Sequence, residues 1–381
     1  MTATCNSQYS VMQQALYLAF ELSNHNWKLG FTLGVAQRPR ERNINAGDLT
    51  ALMCEITAAK KRFSLPVDAP VKSCYEAGRD GFWIHRYLRA SGIENLIVDS
   101  SSIEVNRRHR RVKTDRIDVN KLLGMLIRYH DGDKKVWHVV NVPSAEEEDY
   151  RHLHREMLTA KRDRTRHINR IKGLLKGQGV DLKPGKEFLK KLEGVRLWDG
   201  SKLGTELIAR IRREYERLQL VEMQIKELER ERVEAIRHSS RPEVEQVRNL
   251  LHLNGIGLNS AWLFTMEFFA WRKFRNRKEV GALAGLTPTP SQSGGSYREQ
   301  GISKAGNRYI RAMAIEIAWG WLRYQPESEL SKWYEKRFGQ GSSRMRRIGI
   351  VALARKLLIA LWRYLETGVI PEGAILKTRL I

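Results

Sequence analysis

The sequence predicts a mixed α/β region followed by a long, mostly helical one. Over residues 15–140, short apolar runs typical of strands form a meander and then alternate with helical patterns. Residues 145–238 carry sustained helical periodicity, and residues 243–381 are helical with glycine punctuation. We therefore expect three domains, with boundaries at 1–144, 145–240 and 241–381.

Each element of the first domain has its own signal. Buried or alternating apolar runs predict strands over 15–21, 26–34, 71–76 and 95–99. Helical spacing predicts helices over 48–63, 82–92 and from Thr114 through Leu126. Asp48 and Thr114 are predicted N-caps, because a short side-chain oxygen can accept a hydrogen bond from a free amide of the first turn.

The second domain is predicted to be a coiled-coil-like helical hairpin. Its first helix starts with the acids of 146–149, which suit the positive end of the helix dipole, and then becomes strongly basic. The second helix, from about Leu203 to His238, repeats apolar residues at spacings of three and four between Leu207 and Leu228. Such a seam fits either a hairpin packed within one chain or a dimer, and the sequence leaves both open.

The charge balance indicates a polyanionic partner. Lys and Arg number 67 against 43 Asp and Glu, a formal net charge of +24. We find no uncharged apolar stretch of about 18 residues and no secretory signal. The cysteines, Cys5, Cys54 and Cys74, form neither a zinc spacing nor a disulfide framework. We expect a cytoplasmic nucleic-acid-binding protein without a membrane segment.

Four carboxylates form the first candidate site. Glu21 and Glu76 end predicted strands, and Asp115 and Asp118 share one face of a helical turn. Clustered acids repel one another unless cations lie between them, and Mg²⁺ prefers oxygen ligands. Two such ions can hold a phosphodiester for cleavage. The alternative is that these are ordinary surface acids.

Basic residues and glycines supply the candidate nucleic-acid contacts. A loop before the Asp pair, the basic helix, a Gly-Ile-Gly turn resembling a helix-hairpin-helix clamp, and a C-terminal polar loop each contribute some. They are Arg107, Arg108, Arg110, Arg162, Arg166, Arg170, Gly255, Gly257, Lys304, Arg308 and Arg311. Each has a plainer interpretation, as a solvated charge or an ordinary helix start.

Ser303 is the second candidate site. It lies in a polar loop that feeds a helix, among Lys304, Arg308 and Arg311. Its hydroxyl could be only an N-cap of that helix. It could instead be a nucleophile whose developing charge the cations stabilise.

In this order, the motifs resemble the DEDD-type insertion-sequence transposases, also called bridge-RNA-guided recombinases. The most specific matches are Ala284-Gly-Leu-Thr-Pro and Gly301-Ile-Ser-Lys-Ala-Gly-Asn-Arg. The resemblance implies a RuvC-like, ribonuclease-H-like α/β N-terminal domain and a mostly α C-terminal transposase domain. Its implied metal ligands are Glu21, Glu76, Asp115 and Asp118, and Ser303 would form a covalent link to DNA.

The resemblance also implies Mg²⁺ (or Mn²⁺) as cofactor, DNA and a structured guide RNA as partners, and a homo-oligomer. One departure is that the family's first acid is usually Asp, whereas this chain has Glu21. Two alternatives stay open. One is a metal-dependent junction nuclease that uses water, with Ser303 only a helix cap, and the other is a non-catalytic nucleic-acid-binding protein.

Overall fold

The computed structural model describes residues 14–35, 37–78, 81–103, 115–293 and 296–378, with the backbone alone described for residues 101, 115–117, 291–293 and 296–300. The chain divides into two compact units, Met1–Val142 and Pro143–Ile381. Each is described by itself below.

A five-stranded mixed sheet is the centre of the first unit. Its strands are β1 (Leu16–Leu22), β2 (Asn26–Thr32), β3 (Arg40–Asn45), β4 (Val71–Glu76) and β5 (Glu94–Val98). The order is β3-β2-β1-β4-β5. Strand β2 runs antiparallel to both of its neighbours, β1 and β3, whereas β4 and β5 run parallel to β1. The four predicted strands are confirmed, whereas the polar β3 was missed.

Helices α1 (Leu49–Arg62), α2 (Trp83–Ala90) and α3 (Asp115–His130) complete this unit. The cap predicted at Asp48 is confirmed, because its carboxylate accepts a hydrogen bond of 2.8 Å from the Ala51 amide. Thr114 lies outside the described residues. Alternation along β1 separates two apolar cores, since Leu18 and Phe20 pack with α1 and α2 while Ala19 packs with α3.

Helix α3 lies directly on the backbone of β2 at Gly30. A Cβ atom there would come within 2.3 Å of Val119 Cγ1 and 3.0 Å of Leu123 Cδ1. The position therefore requires glycine because of close approach.

The second unit is mostly helical. Its helices are α4 (Ala145–Asp149), α5 (His152–Lys176), α6 (Phe188–Glu193), α7 (Thr205–His238), α8 (Pro242–His252), α9 (Leu258–Phe264), α10 (Arg277–Leu283), α11 (Arg308–Tyr324), α12 (Glu329–Tyr334) and α13 (Ser343–Thr367). Two strands, β6 (Pro288–Ser293) and β7 (Ser296–Ile302), form an antiparallel hairpin. The polar loop predicted before the helix at Arg308 is therefore a strand over its first part, Ser296–Ile302.

The single acidic-then-basic helix predicted after residue 145 is also two helices. Ser144 and Glu147 close a capping box that begins α4. A turn at Tyr150 and Arg151 then separates α4 from α5.

Helices α5 and α7 form the predicted hairpin, antiparallel and within one chain. Met157 of α5 packs with Leu228 of α7, whereas Leu175 packs with Ile211 near the other end. The apolar seam of α7 is thus covered by α5. The rest of the unit has one core shared by α8, α9, α11 and α13. Among the described residues, no helix is long and apolar enough to span a bilayer.

Candidate functional site

The carboxyl ends of β1 and β4 bring two of the predicted acids side by side in register. Phe20 pairs with Tyr75 in the parallel ladder, so the next residues, Glu21 and Glu76, follow at the same level. Because side chains alternate along a strand, both acids lie on the sheet face that also carries Ala19. Glu21 is half-buried and Glu76 is exposed.

Helix α3 lies on the same face and carries the other two acids. Its last residue, His130, packs against Tyr17 near the start of β1, with ring centroids 6.0 Å apart and the rings tilted by 55°. Val119 lies against Gly30, which pairs with Ala19 further along that strand. The first turn of α3, with Asp115 and Asp118, therefore points to the edge that holds Glu21 and Glu76. We call these four residues the acid edge.

The acid edge offers the oxygen ligands that Mg²⁺ prefers. Within the described residues, however, no three His, Cys, Asp or Glu side chains form a group that could hold a metal ion. The side chain of Asp115 lies outside those described, as do Arg107, Arg108 and Arg110. The structure thus brings the acids to one edge and one face of the sheet, and the side chains that it describes do not complete a coordination site.

In the second unit, backbone hydrogen bonds hold the serine loop, residues 303–307, against residues 283–287. The Ser303 amide donates to the Thr287 carbonyl at 2.9 Å and the Lys304 amide to the Gly285 carbonyl at 3.2 Å. The Asn307 amide donates to the Leu283 carbonyl at 3.0 Å. The two most specific sequence motifs are therefore two halves of one local structure.

Two glycines allow this contact. A Cβ on Gly285 would lie 2.5 Å from the Ala305 carbonyl oxygen, and one on Gly306 would lie 2.2 Å from the Leu283 carbonyl oxygen. Both residues also have positive φ, +69° and +113°. Any side chain would force the serine loop away from its support.

The hydroxyl of Ser303 does not cap the following helix. The N-cap of α11 is Asn307, whose side chain accepts from the amides of Tyr309 at 2.9 Å and Ile310 at 3.3 Å. Ser303 itself is exposed, four residues before that cap. The interpretation of Ser303 as only a helix cap was therefore wrong.

The cations predicted around Ser303 have distinct roles. Arg311 donates to the carbonyls of Ala284 at 3.3 Å and Lys304 at 3.0 Å, so it ties the serine loop to its support. Lys304 adopts a positive φ of 55° and its side chain is exposed. Arg308 donates to the hydroxyl of Tyr309 at 2.8 Å. Sequence reasoning missed Tyr309, although its place beside Arg308 in the motif could have drawn attention.

The basic face of α5 is partly engaged in internal contacts. Arg166 pairs with Asp163 at 2.6 Å, and Arg170 with Glu214 at 3.0 Å. Glu214 is buried, which alone would raise its pKa. Hydrogen bonds from His167, Arg170 and Arg217 outweigh burial and lower the pKa to about 2.

The backbone amides of the Gly-Ile-Gly turn, predicted to bind a DNA phosphate, are used inside the protein. The amide of Gly255 donates to its neighbour Asn254 Oδ1 at 3.1 Å, and the amide of Gly257 to Ser260 Oγ at 3.1 Å. A Cβ on Gly255 would lie 3.3 Å from Tyr324 Cβ, so this glycine permits close packing on α11. Both amides already have acceptors inside the protein.

Comparison with known proteins identifies the family. A Sinorhizobium fredii protein named transposase y4rJ is 41% identical to this chain over 380 residues. The match covers 96% of this chain and 95% of that protein. The model of the Transposase IS116/IS110/IS902 family matches residues 247–333, which include the serine loop. The chain belongs to this family. It is therefore a transposase of the insertion-sequence type, and such enzymes bind DNA.

Two further relatives agree with this membership. A second Sinorhizobium fredii transposase, y4qE, is 28% identical over 341 residues, 89% of this chain and 80% of its own length. The transposase for insertion sequence element IS1328 of Yersinia enterocolitica is 25% identical over 236 residues, 61% of this chain and 67% of its own length.

Proposed function

We propose that this transposase cleaves and rejoins DNA through a covalent link between Ser303 and a DNA phosphate. The observation that supports this best is the serine loop. Three backbone hydrogen bonds and two close-packed glycines fix its path, and the Ser303 hydroxyl is exposed rather than used as a cap. A rigid support for an exposed hydroxyl is the arrangement that a positioned nucleophile requires.

The proposed step conserves the number of phosphoester bonds. The Ser303 oxygen attacks a phosphodiester phosphorus and loses its proton, while the bond from phosphorus to one sugar oxygen breaks. That sugar oxygen takes up a proton and leaves as a hydroxyl. The reverse attack, by the hydroxyl of a different strand end, frees Ser303 and joins the strands. The exchange requires no water and no external energy source.

The side chains near Ser303 suit this chemistry. Lys304 and Arg308 lie within five residues of Ser303 and are exposed, so they are available to neutralise the phosphate as charge develops on it. Arg311 instead donates to two backbone carbonyls and holds the loop. It is a positioning residue.

For the acid edge, we propose a ribonuclease-H-like metal site made by Glu21, Glu76, Asp115 and Asp118. Support comes from the sheet register and from the direction of α3, which bring all four to one edge. A bound divalent ion would supply positive charge to a scissile phosphate. The four carboxylates would orient it.

A guide RNA and a homo-oligomer remain part of the proposal. A net charge of +24 leaves capacity for a second polyanion besides DNA. The acids and Ser303 belong to different compact units, so two chains could share a site. The seam of α7 is covered within the chain and lends no support to dimerisation. Mixing an Asp118→Asn chain with a Ser303→Ala chain tests whether two chains share one site. Cleavage can recover only if the intact acid edge of one chain acts together with the intact Ser303 of the other.

Trapping a covalent adduct tests the central proposal. We expect the wild-type chain to retain labelled DNA after denaturation, and Ser303→Ala to retain none while still binding DNA. Ser240→Ala is the matched control, because Ser240 is an exposed serine in the loop before α8. An adduct that persists in Ser303→Ala would refute the serine assignment. Metal-dependent nicking without any adduct would favour the junction nuclease.

A further inference from the structure

Two arginines from different helices meet at the hydroxyl of Tyr309. Arg308 precedes it in α11 and donates to the hydroxyl oxygen at 2.8 Å. Arg162 reaches it from α5 and donates to the same oxygen. Both guanidinium groups also lie over the aromatic ring, with their central carbons 4.8 Å and 5.1 Å from its centroid. We call these three residues the Tyr309 cluster.

The cluster gathers the positive charge of two guanidinium groups. Across the described part of the chain, neither Arg162 nor Arg308 forms an ion pair with Asp or Glu. The nearest acid in the α5 sequence, Asp163, pairs with Arg166 instead. Two like charges held on one hydroxyl repel each other, so the arrangement gains stability when an anion joins them.

In this geometry, the hydroxyl of Tyr309 can donate its proton to a further acceptor. A phenolic oxygen accepts hydrogen bonds through its lone pairs and carries one proton to donate. Because both arginines donate to the oxygen, the proton is directed away from them. The bond from Arg308 lowers the pKa of this hydroxyl, burial acts in the opposite direction, and the bond from Arg162 lowers it further. The group is thus a stronger hydrogen-bond donor than an ordinary tyrosine.

The position of the cluster connects it to the serine loop. The amide of Tyr309 donates to the side chain of Asn307, the last residue of that loop. Both arginines are exposed, so the cluster is accessible from solvent. It joins the basic helix α5 to the segment that carries Ser303.

We propose that the Tyr309 cluster is one binding site for a single phosphodiester group, in which Tyr309 positions Arg162 and Arg308 together. The inference rests on the proposed function, since it gives the nucleic-acid strand at Ser303 a defined phosphate contact. Tyr309 is a positioning residue and not a nucleophile. Because the Tyr309 amide bonds to Asn307, the last residue of the loop that carries Ser303, DNA is the expected source of the phosphate.

Salt dependence of binding tests whether the two arginines share one phosphate. Binding to duplex DNA is measured over a salt series, with Ser303→Ala as the common background so that strand cleavage plays no part. Each phosphate contact contributes about 0.9 to the slope of log K against log salt. We expect Arg162→Gln and Arg308→Gln each to lower the slope by less than about 0.9, because the other arginine still neutralises the phosphate, and the double variant to lower it by about 0.9 in total. A loss of about 1.8 in the double variant would mean two separate phosphates and would overturn the shared site.

Tyr309→Phe tests the positioning role, because it keeps the ring and removes only the hydroxyl. We expect it to raise Kd for DNA by at least about twofold in the Ser303→Ala background, with an unchanged unfolding midpoint. The same change should have no effect once Arg162→Gln and Arg308→Gln are present. Tyr324→Phe is the matched control, since Tyr324 lies at the other end of α11 with Arg323 at 5.5 Å over its ring. An equal effect of the two tyrosine changes, or an effect of Tyr309→Phe that survives in the double arginine variant, would refute the positioning role.

A single-stranded RNA of the same length distinguishes the source of the phosphate. A slope deficit on DNA assigns the site to the DNA strand, and a deficit on RNA alone assigns it to an RNA backbone. Both outcomes support a phosphodiester site, and a deficit on neither refutes it. Because these are binding measurements, they stand even if no serine adduct forms, so the two proposals fail separately.

Discussion

The serine loop and the acid edge are assembled in opposite ways. The loop is held by hydrogen bonds between residues 283–287 and 303–307, about twenty positions apart in the chain, and by glycines that let the backbones touch. The acid edge collects Glu21, Glu76 and the start of α3 from about a hundred residues of chain through sheet register and helix packing. One is fixed by local contacts and the other by the whole fold of its unit.

This difference predicts different responses to substitution. Neutralising a carboxylate of the acid edge leaves the sheet register unchanged, so the fold should survive while chemistry is lost. Altering a glycine of the serine loop displaces the backbone that carries the nucleophile, so structure and chemistry should be lost together. The following experiments test that contrast.

Glu76→Gln should have the largest effect on activity. Glutamine keeps the size of the exposed side chain but removes the negative charge that would hold a cation, so we expect DNA strand cleavage to be lost. The unfolding midpoint should be unchanged or slightly raised, because like charges at the edge repel. Glu94→Gln is the control, since Glu94 is exposed at the opposite end of the sheet, where β5 begins. Cleavage at the wild-type rate by Glu76→Gln would show that this residue is not a metal ligand.

Gly306→Ala should disrupt the serine loop. The φ of Gly306 is +113°, which L-residues rarely adopt, and a Cβ atom there would clash with the Leu283 carbonyl oxygen at 2.2 Å. We expect a loss of at least about 1–2 kcal/mol in the free energy of unfolding, together with loss of the covalent adduct. Gly173→Ala in α5 is the control, because no atom lies within 4 Å of its added carbon. Full adduct formation by Gly306→Ala would contradict the tight coupling between the two motifs.

Glu214 offers a buried carboxylate that is satisfied by cations already present in the chain. Its pKa of about 2 lies below the ordinary value of 4.5, so the ionised form stabilises the folded state above pH 4.5 and this stabilisation is lost as pH falls toward 2. Glu214→Gln should lower the free energy of unfolding near neutral pH by about 1–3 kcal/mol, because the carboxylate is buried but Arg170 and Arg217 are more than half exposed.

Denaturant unfolding of Glu214→Gln at about pH 7 and about pH 3 checks this expectation. The difference from wild type should shrink at the lower pH. Glu216→Gln, an exposed position on the same helix, should change neither value. A difference that is independent of pH would show that packing rather than charge accounts for it.

The smallest effect separates a cap from a nucleophile. Asn307→Ala removes the N-cap of α11 and should cost about 0.5–2 kcal/mol in the free energy of unfolding. Ser303→Ala should leave that free energy within about 0.5 kcal/mol, since an exposed serine outside the cap contributes little. Thermal unfolding of both variants measures the contrast, and equal losses would argue against it.

Most of the first unit could be predicted because its strands, apart from β3, are apolar and α1 begins at a side-chain cap, Asp48. Strand β3 could not, since Arg40–Asn45 lies at the edge of the sheet and only Ile44 is both apolar and buried, so that hydrogen bonds to β2 define it. The β6–β7 hairpin escaped prediction for a similar reason, because Pro288–Ser293 carries no alternating apolar face.

The candidate sites divide along the same line. The acids at Glu21 and Glu76 could be placed at one edge because strand ends are readable from the sequence. The true N-cap of α11 could not, since Ser303 and Asn307 are both good capping residues and only the backbone path selects between them. The Tyr309 cluster was hidden as well, because Arg162 lies 147 positions away in the chain.

Gly30 limits how far α3 can move relative to the acid edge. Val119 contacts Gly30, and the gap between α3 and the sheet at this point has room for the hydrogen atom of glycine but not for a methyl group. A methyl at Gly30 would act as a wedge under the first turn of α3 and lift Asp118 from the strands that carry its partners. The spacing of the four carboxylates is not recorded in any sequence motif. It depends on how closely α3 packs on β2, a strand that contributes no residue to the acid edge.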